Sequence, residues 1–217
     1  MKSIFDLSDK TVLITGGAGL LGKKHAEAIV EHGGSAIIAD INLQEAKNFC
    51  EKLNMDYGRP ASFPEYLNVL DKDSILKVSQ KYRKIDVLIN NAAKDAKVEK
   101  KDDLNLNARF ETMTYEYWKN DMQVGLDGCF LCSQVIANKM VKEGGGNIIN
   151  IASDLSIIAP DQRIYRKEGL QEMEQHVKPA TYSVSKWAVR GLTKYMSTYF
   201  ADKNIRVNSL SPAGIYN

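Results

Sequence analysis

Short runs of aliphatic and β-branched residues alternate with longer amphipathic stretches along this chain. Residues 11–15, 35–39, 87–90, 147–151 and 206–210 are apolar at neighbouring positions rather than at every second one. That is the pattern of strands covered on both faces by helical layers. A weaker run at 66–70 falls where one more strand is required between the second and the fourth. Between the runs, 20–32 places Leu21, Ile29 and His32 near one face and ends at Gly33-Gly34, a glycine stop. Residues 42–53, 74–82, 114–142 and 181–201 also read as helices. Alternating strand and helix with short connections predicts right-handed βαβ units. The expected class is therefore α/β, a single doubly wound parallel sheet with helices on both faces. With no internal repeat and no low-complexity linker, residues 1–217 read as one domain. Two polar insertions, 94–110 and 160–179, interrupt the rhythm, and each follows the C-terminal end of a strand. They are expected at the active-site edge, the second as a lid or substrate wall.

Composition narrows the function. Lys+Arg 29 against Asp+Glu 27 gives a net charge of +2, too little excess to hold nucleic acid or an anionic membrane. No apolar run approaches the ~18 residues of a membrane helix, and Asp6 interrupts the N-terminus where a signal peptide would be apolar. Three cysteines, Cys50, Cys129 and Cys132, are too few for a disulfide framework. The expectation is a cytoplasmic protein whose partner is a small molecule. Cys129 and Cys132 have the spacing of a zinc pair, but they lie in an apolar helical run without a second pair. They read as buried helix cysteines. His25, His32 and His176 have no ligand partners in sequence, so no metal site is expected.

The chemistry begins at Gly16-Gly17-Ala18-Gly19-Leu20-Leu21-Gly22, between the first strand and the first helix. Glycines there permit a tight turn and a close approach of backbone to phosphate, and the helix N-terminus behind them suits a pyrophosphate. The second strand ends in Asp40, where a carboxylate can accept hydrogen bonds from an adenosine ribose and would repel a 2′-phosphate. NAD is expected in preference to NADP.

With these elements in place the chain resembles the short-chain dehydrogenase/reductase family, single-domain type. The resemblance rests on the glycine turn, Asn90-Asn91-Ala92-Ala93, Asn147 to Ser153, Tyr182-Ser183-Val184-Ser185-Lys186, and Ile205 to Gly214, in the family's order. It implies a Rossmann domain that transfers hydride between nicotinamide and a secondary alcohol or ketone. Tyr-x-x-x-Lys occurs three times, at Tyr115, Tyr182 and Tyr199; position after the fifth strand and small neighbours select Tyr182. The resemblance then implies Tyr182 as general acid/base, Lys186 as its electrostatic partner and ribose ligand, and Ser153 as the hydroxyl that orients the reacting oxygen. The cofactor contacts it implies are Gly16, Gly19, Leu21 and Gly22 at the turn, and Asp40 and Ile41 after the second strand. Asn68, Val69, Asn90 and Ala92 follow, then Tyr182 and Lys186, and finally Pro212, Gly214 and Ile215.

The chain departs from the family in three places. Its glycine spacing is closer to the epimerase and dehydratase branch, so a nucleotide-sugar epimerase or dehydratase stands as an alternative. Gly125 replaces the usual asparagine of a proton relay, which leaves a weakened dinucleotide-binding or regulatory module as another. The long segment between Ser153 and Tyr182 brings Arg163, Arg166 and Lys167, which are expected to meet an anionic substrate such as a phosphorylated sugar. A narrower resemblance, to bacterial surface-sugar and flagellin-modification oxidoreductases, also implies a sugar or sugar derivative. By family likeness the protein is expected to form a homodimer or homotetramer through helices 114–142 and 181–201. The chain is also shorter than its family, so a closing strand and helices are expected beyond Asn217.

Overall fold

The computed structural model describes residues 3–94 and 107–214. Six parallel strands, β1 (Thr11–Thr15), β2 (Ser35–Asp40), β3 (Ser62–Tyr66), β4 (Val87–Asn90), β5 (Gly146–Ile151) and β6 (Ile205–Leu210), form one sheet in the order β3-β2-β1-β4-β5-β6. The chain enters at the centre, winds out to β3, and crosses back to β4 beside β1. Strand order reverses at that point, and the C-terminal ends of β1 and β4 open the crevice in which such sheets bind ligands.

Period-two alternation within buried strands explains why they read as unbroken apolar runs. In β1, Leu13 faces one layer with Ile37, Leu88, Ile136, Met140 and Ile148. Val12 and Ile14 face the other layer with Ala26, Ile29, Ile38 and Phe49. The first layer is covered by α3 (Lys72–Lys81), α5 (Gly128–Lys142) and α6 (Ala180–Tyr199), the second by α1 (Leu20–Glu31) and α2 (Leu43–Asp56).

Several elements depart from the sequence expectation. The third strand is Ser62–Tyr66, not 66–70, and pairs with β2 from Ala36↔Ser62 to Asp40↔Tyr66. As an edge strand it tolerates Pro64 and an exposed Phe63 and Tyr66, so it lacks the apolar signature of an inner strand. Leu67 and Val69, which carried the weaker run, are buried in the turn that follows. The predicted helix 114–142 is two helices, α4 (Tyr115–Met122) and α5, joined by a π-helical turn at Gln123–Asp127. Gly125 sits at the centre of that turn, where the chain crosses α6 so closely that a Cβ would lie 3.2 Å from Ser185 Cβ. Helix α3 also begins two residues early, because Asp71 caps it by accepting from the N–H groups of Asp73 and Ser74.

Candidate active site

The glycine turn is built by its neighbours. Gly16 has φ +60°, and a Cβ there would come 2.8 Å from Ala92 Cα. Two residues that the sequence reading did not single out lock this turn to the end of β4. Thr15 Oγ1 accepts from the N–H groups of Asn91 and Ala92, each at 3.1 Å, while Asn91 Nδ2 donates to the carbonyls of Thr15 (3.1 Å) and Gly16 (2.9 Å). Asn91 stood in the Asn-Asn-Ala-Ala element and could have been found there. Helix α1 starts at N-cap Gly19 with no side-chain cap, so its first N–H groups are left for a ligand or water.

Asp40 does not cap α2; Asn42 does, accepting from Glu45 N at 3.1 Å. The Asp40 carboxylate instead holds Ala18 N (3.0 Å) and Asn42 N (2.9 Å), which fixes it between the glycine turn and α2. A cavity of about 970 Å³ runs from there across the ends of β1 and β4 to the end of β5. Gly16, Gly19, Leu21, Asp40, Ile41, Asn68, Val69, Ala92, Ser153, Tyr182 and Gly214 all line it. These residues suit a dinucleotide: an uncapped helix start, a turn with no room for side chains, and a carboxylate at the far end.

Four expected contacts lie elsewhere. Gly22 is buried beneath the turn rather than on the cavity wall. Asn90 is buried in a network inside the sheet, donating to Ser133 Oγ (2.9 Å) and Asn150 Oδ1 (2.8 Å), while Asn150 donates to Thr193 Oγ1 (2.8 Å). The network ties β4, β5, α5 and α6 together, which is a structural duty for Asn90. Pro212 is not on the cavity wall, and its carbonyl accepts from Asp154 N, in the turn after β5, at 2.9 Å. Lys186 is buried behind the wall. Ile215 lies outside the described residues.

At the β5 end, Ser153 Oγ donates to Asp154 Oδ1 (2.7 Å) and accepts from Leu155 N (3.2 Å). Tyr182 occupies the first turn of α6, and Lys186, one turn later, has Nζ 5.7 Å from the Tyr182 ring centroid. Lys186 Nζ donates to the carbonyl of Ile151 at 2.7 Å, so the ammonium is anchored to the end of β5, two residues before Ser153. Thr181 donates to Asp121 Oδ2 at 2.7 Å, pinning the start of α6 to α4. A side chain at position 125 would meet Ser185 Cβ and Oγ at 3.2 and 3.3 Å, so an asparagine fits only if Ser185 moves.

The 160–179 segment contributes Pro160, Asp161, Ile164, Tyr165 and Lys178 to the cavity wall. It is braced from within: Gln175 donates to the carbonyls of Lys167 and Leu170, and Arg109 reaches across to the Glu172 carbonyl. Arg163 and Arg166, expected to meet an anionic substrate, do not line the cavity. Arg163 is held by Asp161 (Nη2 to Oδ2 2.7 Å) and Arg166 by Glu172, carboxylates of their own loop. Among the described residues, the cations that do face the cavity are Lys94 and Lys178. Cys129 and Cys132 are buried on α5, and burial pushes the Cys129 thiol up to about 12. Among the described residues no group of three or more His, Cys, Asp or Glu is placed to hold a metal, and no helix is long and apolar enough to cross a membrane.

A doubly wound sheet with an open glycine turn at its switch point and a Ser, Tyr and Lys group at the adjoining strand end defines a dinucleotide-dependent oxidoreductase. The chain belongs to the short-chain dehydrogenase/reductase family: the family model described as enoyl-(acyl carrier protein) reductase matches residues 17–216. It is 31% identical over 215 residues to the NAD-dependent glycerol dehydrogenase of Listeria innocua, covering 97% of this chain and 72% of that one. It is 27% identical over 212 residues to the D-threitol dehydrogenase of Mycolicibacterium smegmatis, covering 96% of this chain and 71% of that one. Among solved structures, a gluconate 5-dehydrogenase from Burkholderia cenocepacia, in complex with NADP and tartrate, superposes with TM-score 0.80 at 27% identity, covering 98% of this chain and 74% of that one. The protein is therefore an enzyme of the dehydrogenase class that uses a nicotinamide cofactor on a small molecule.

Proposed function

We propose that the protein interconverts a secondary alcohol and ketone on a small polyol or sugar derivative, with NAD as its cofactor. The observation that carries this reading is the continuity of one cavity from Asp40 and the glycine turn to Ser153 and Tyr182, with Lys186 anchored behind. The relatives named for glycerol, threitol and gluconate support a hydroxyl-rich substrate. So does the wall itself, where Ser153, Asp154 and Tyr165 offer donors and acceptors to hydroxyl groups.

Gly16, Gly19 and Leu21 would hold the pyrophosphate end of the cofactor, Asp40 and Ile41 the adenosine ribose, and Ala92 and Gly214 the nicotinamide end. When bound, the nicotinamide ring accepts or supplies the hydride. Tyr182 then takes the hydroxyl proton in oxidation and returns it in reduction. A phenol ordinarily ionises near 10, so service at neutral pH demands a depression of roughly three units, ~4 kcal/mol in favour of phenolate. The Lys186 ammonium contributes to it. Ser153 exchanges its bond to Asp154 for one to the substrate oxygen and so sets that oxygen toward Tyr182.

NADH formation at 340 nm across a panel of polyols, sugar acids and simple secondary alcohols tests the reading; silence throughout the panel in both directions would sink it. In the same assay the kcat/KM ratio of NAD to NADP is expected to fall by at least roughly tenfold, ~1.4 kcal/mol, in Asp40→Ser. A ratio unchanged by that substitution would count against the role of Asp40.

Self-association follows from the same reading. The exposed Trp187, Tyr195 and Tyr199 on α6 and Phe130 on α5 offer apolar surface for a homodimer or homotetramer. Light scattering is expected to give two or four times the chain mass, and a monomer at micromolar concentration would refute it. Buried cysteines without a disulfide suit a reducing compartment, and we place the enzyme in the cytoplasm.

A further inference from the structure

The active-site wall carries a cation that the sequence pattern did not single out. Lys178 Nζ lies 4.0 Å from the centroid of the Tyr182 ring, closer than Lys186 Nζ at 5.7 Å. Its backbone is clamped by one carboxamide: Lys178 N donates to Gln162 Oε1 at 2.9 Å, and Gln162 Nε2 donates to the Lys178 carbonyl at 3.0 Å. Pro179 follows and biases the preceding residue toward extended backbone, and α6 starts directly after it. The 160–179 segment is thus tied to its own C-terminal end so that a side chain two residues before the helix reaches the ring.

We propose that Lys178 is a positioning residue of the Tyr182 acid/base group, a second cation that the 160–179 segment delivers to the ring to favour its phenolate. This rests on the reading of Tyr182 as the acid/base. A cation within about 4–6 Å favours the charged form of a neighbouring group. Among the described residues, the other charged or titratable groups on the cavity are Asp154 from the turn after β5, Asp161 and Tyr165 from the 160–179 segment, Asp40 at the end of β2, and Lys94 after β4, with Lys186 of α6 buried behind the wall. Of these, Asp154 is held by Ser153 and Leu155, Asp161 by Arg163, and Lys94 stands 3.4 Å from Asp121. The two cations nearest the ring therefore act in the same sense.

The test is a pH titration of the enzyme labelled with tyrosine carrying carbon-13 at Cζ, in wild type, Lys178→Met and Lys178→Arg. The resonance missing from Tyr182→Phe identifies Tyr182 without any substrate. Its midpoint is expected to rise by about one unit in Lys178→Met and to return toward wild type in Lys178→Arg. In the oxidation assay the acid-side inflection of log kcat/KM should rise by the same amount, with the plateau at high pH within about twofold of wild type. An unmoved midpoint in Lys178→Met overturns the proposal. So does a raised KM with an unmoved midpoint, which would make Lys178 a substrate contact only. Should no substrate turn over, the midpoint still decides for or against Lys178, while the hydride-transfer reading fails by itself.

Discussion

In Tyr182→Phe, turnover is expected to fall by at least ~10²-fold, because the phenolic oxygen is the only heavy atom lost and a positioned acid/base contributes roughly 10²–10⁴-fold. The ring is retained, together with its place in the first turn of α6 and its contacts with Lys178 and Lys186. Dinucleotide affinity, read by fluorescence quenching, should stay within about threefold of wild type, and thermal stability should be nearly unchanged. That split separates a chemical role from a packing one: a side chain that merely filled the wall would tolerate Phe. Substantial turnover in this variant, with the same pH profile as wild type, would remove Tyr182 from the mechanism. The same assay on Tyr115→Phe and Tyr199→Phe supplies the control, since these tyrosines share the Tyr-x-x-x-Lys spacing but are exposed and lie off the cavity.

Much of the candidate site's cavity was legible because its residues lie where strand order brings them together. Once β1 and β4 are neighbours, the glycine turn, Asp40, Ala92 and Ser153 must converge at one sheet edge, and sequence spacing suffices to name them. Asn90 shows the limit of that reasoning: its position at a strand end is right, yet whether it faces the cavity or the interior depends on a partner 60 residues away, Asn150. The third strand was misplaced for a related reason, since an edge strand owes its pairing to the neighbouring backbone rather than to apolar residues of its own. The basic residues of the 160–179 segment were misread because charge composition says nothing of pairing. Arg163 and Arg166 found carboxylates two and six residues away, and Lys178, the last basic residue of the segment, reached the ring instead.

Gly22→Ala is expected to destabilise the protein by about 2 kcal/mol and to weaken dinucleotide binding at least tenfold, although alanine is the better helix former. Gly22 is buried in the first turn of α1. A Cβ there would meet the Gly16 carbonyl and lie 2.7 and 2.8 Å from Gly17 Cα and C, all of them backbone. No rotamer change relieves such a contact; α1 has to shift away from the glycine turn. The propensity gain of glycine to alanine inside a helix is roughly 1 kcal/mol, while overpacking against atoms that cannot yield costs typically 1–3 kcal/mol or more. Sterics should therefore win, and the displaced turn is the surface on which the pyrophosphate is proposed to rest. Gly191, in α6, isolates the propensity contribution, because a Cβ there meets nothing within 4 Å. Gly191→Ala should raise the urea midpoint by an amount equivalent to about 0.5–1 kcal/mol with unchanged nucleotide affinity. If both substitutions shifted stability in the same favourable direction, the close approach of α1 to the glycine turn would be wrong, and with it the geometry assigned to the cofactor cradle.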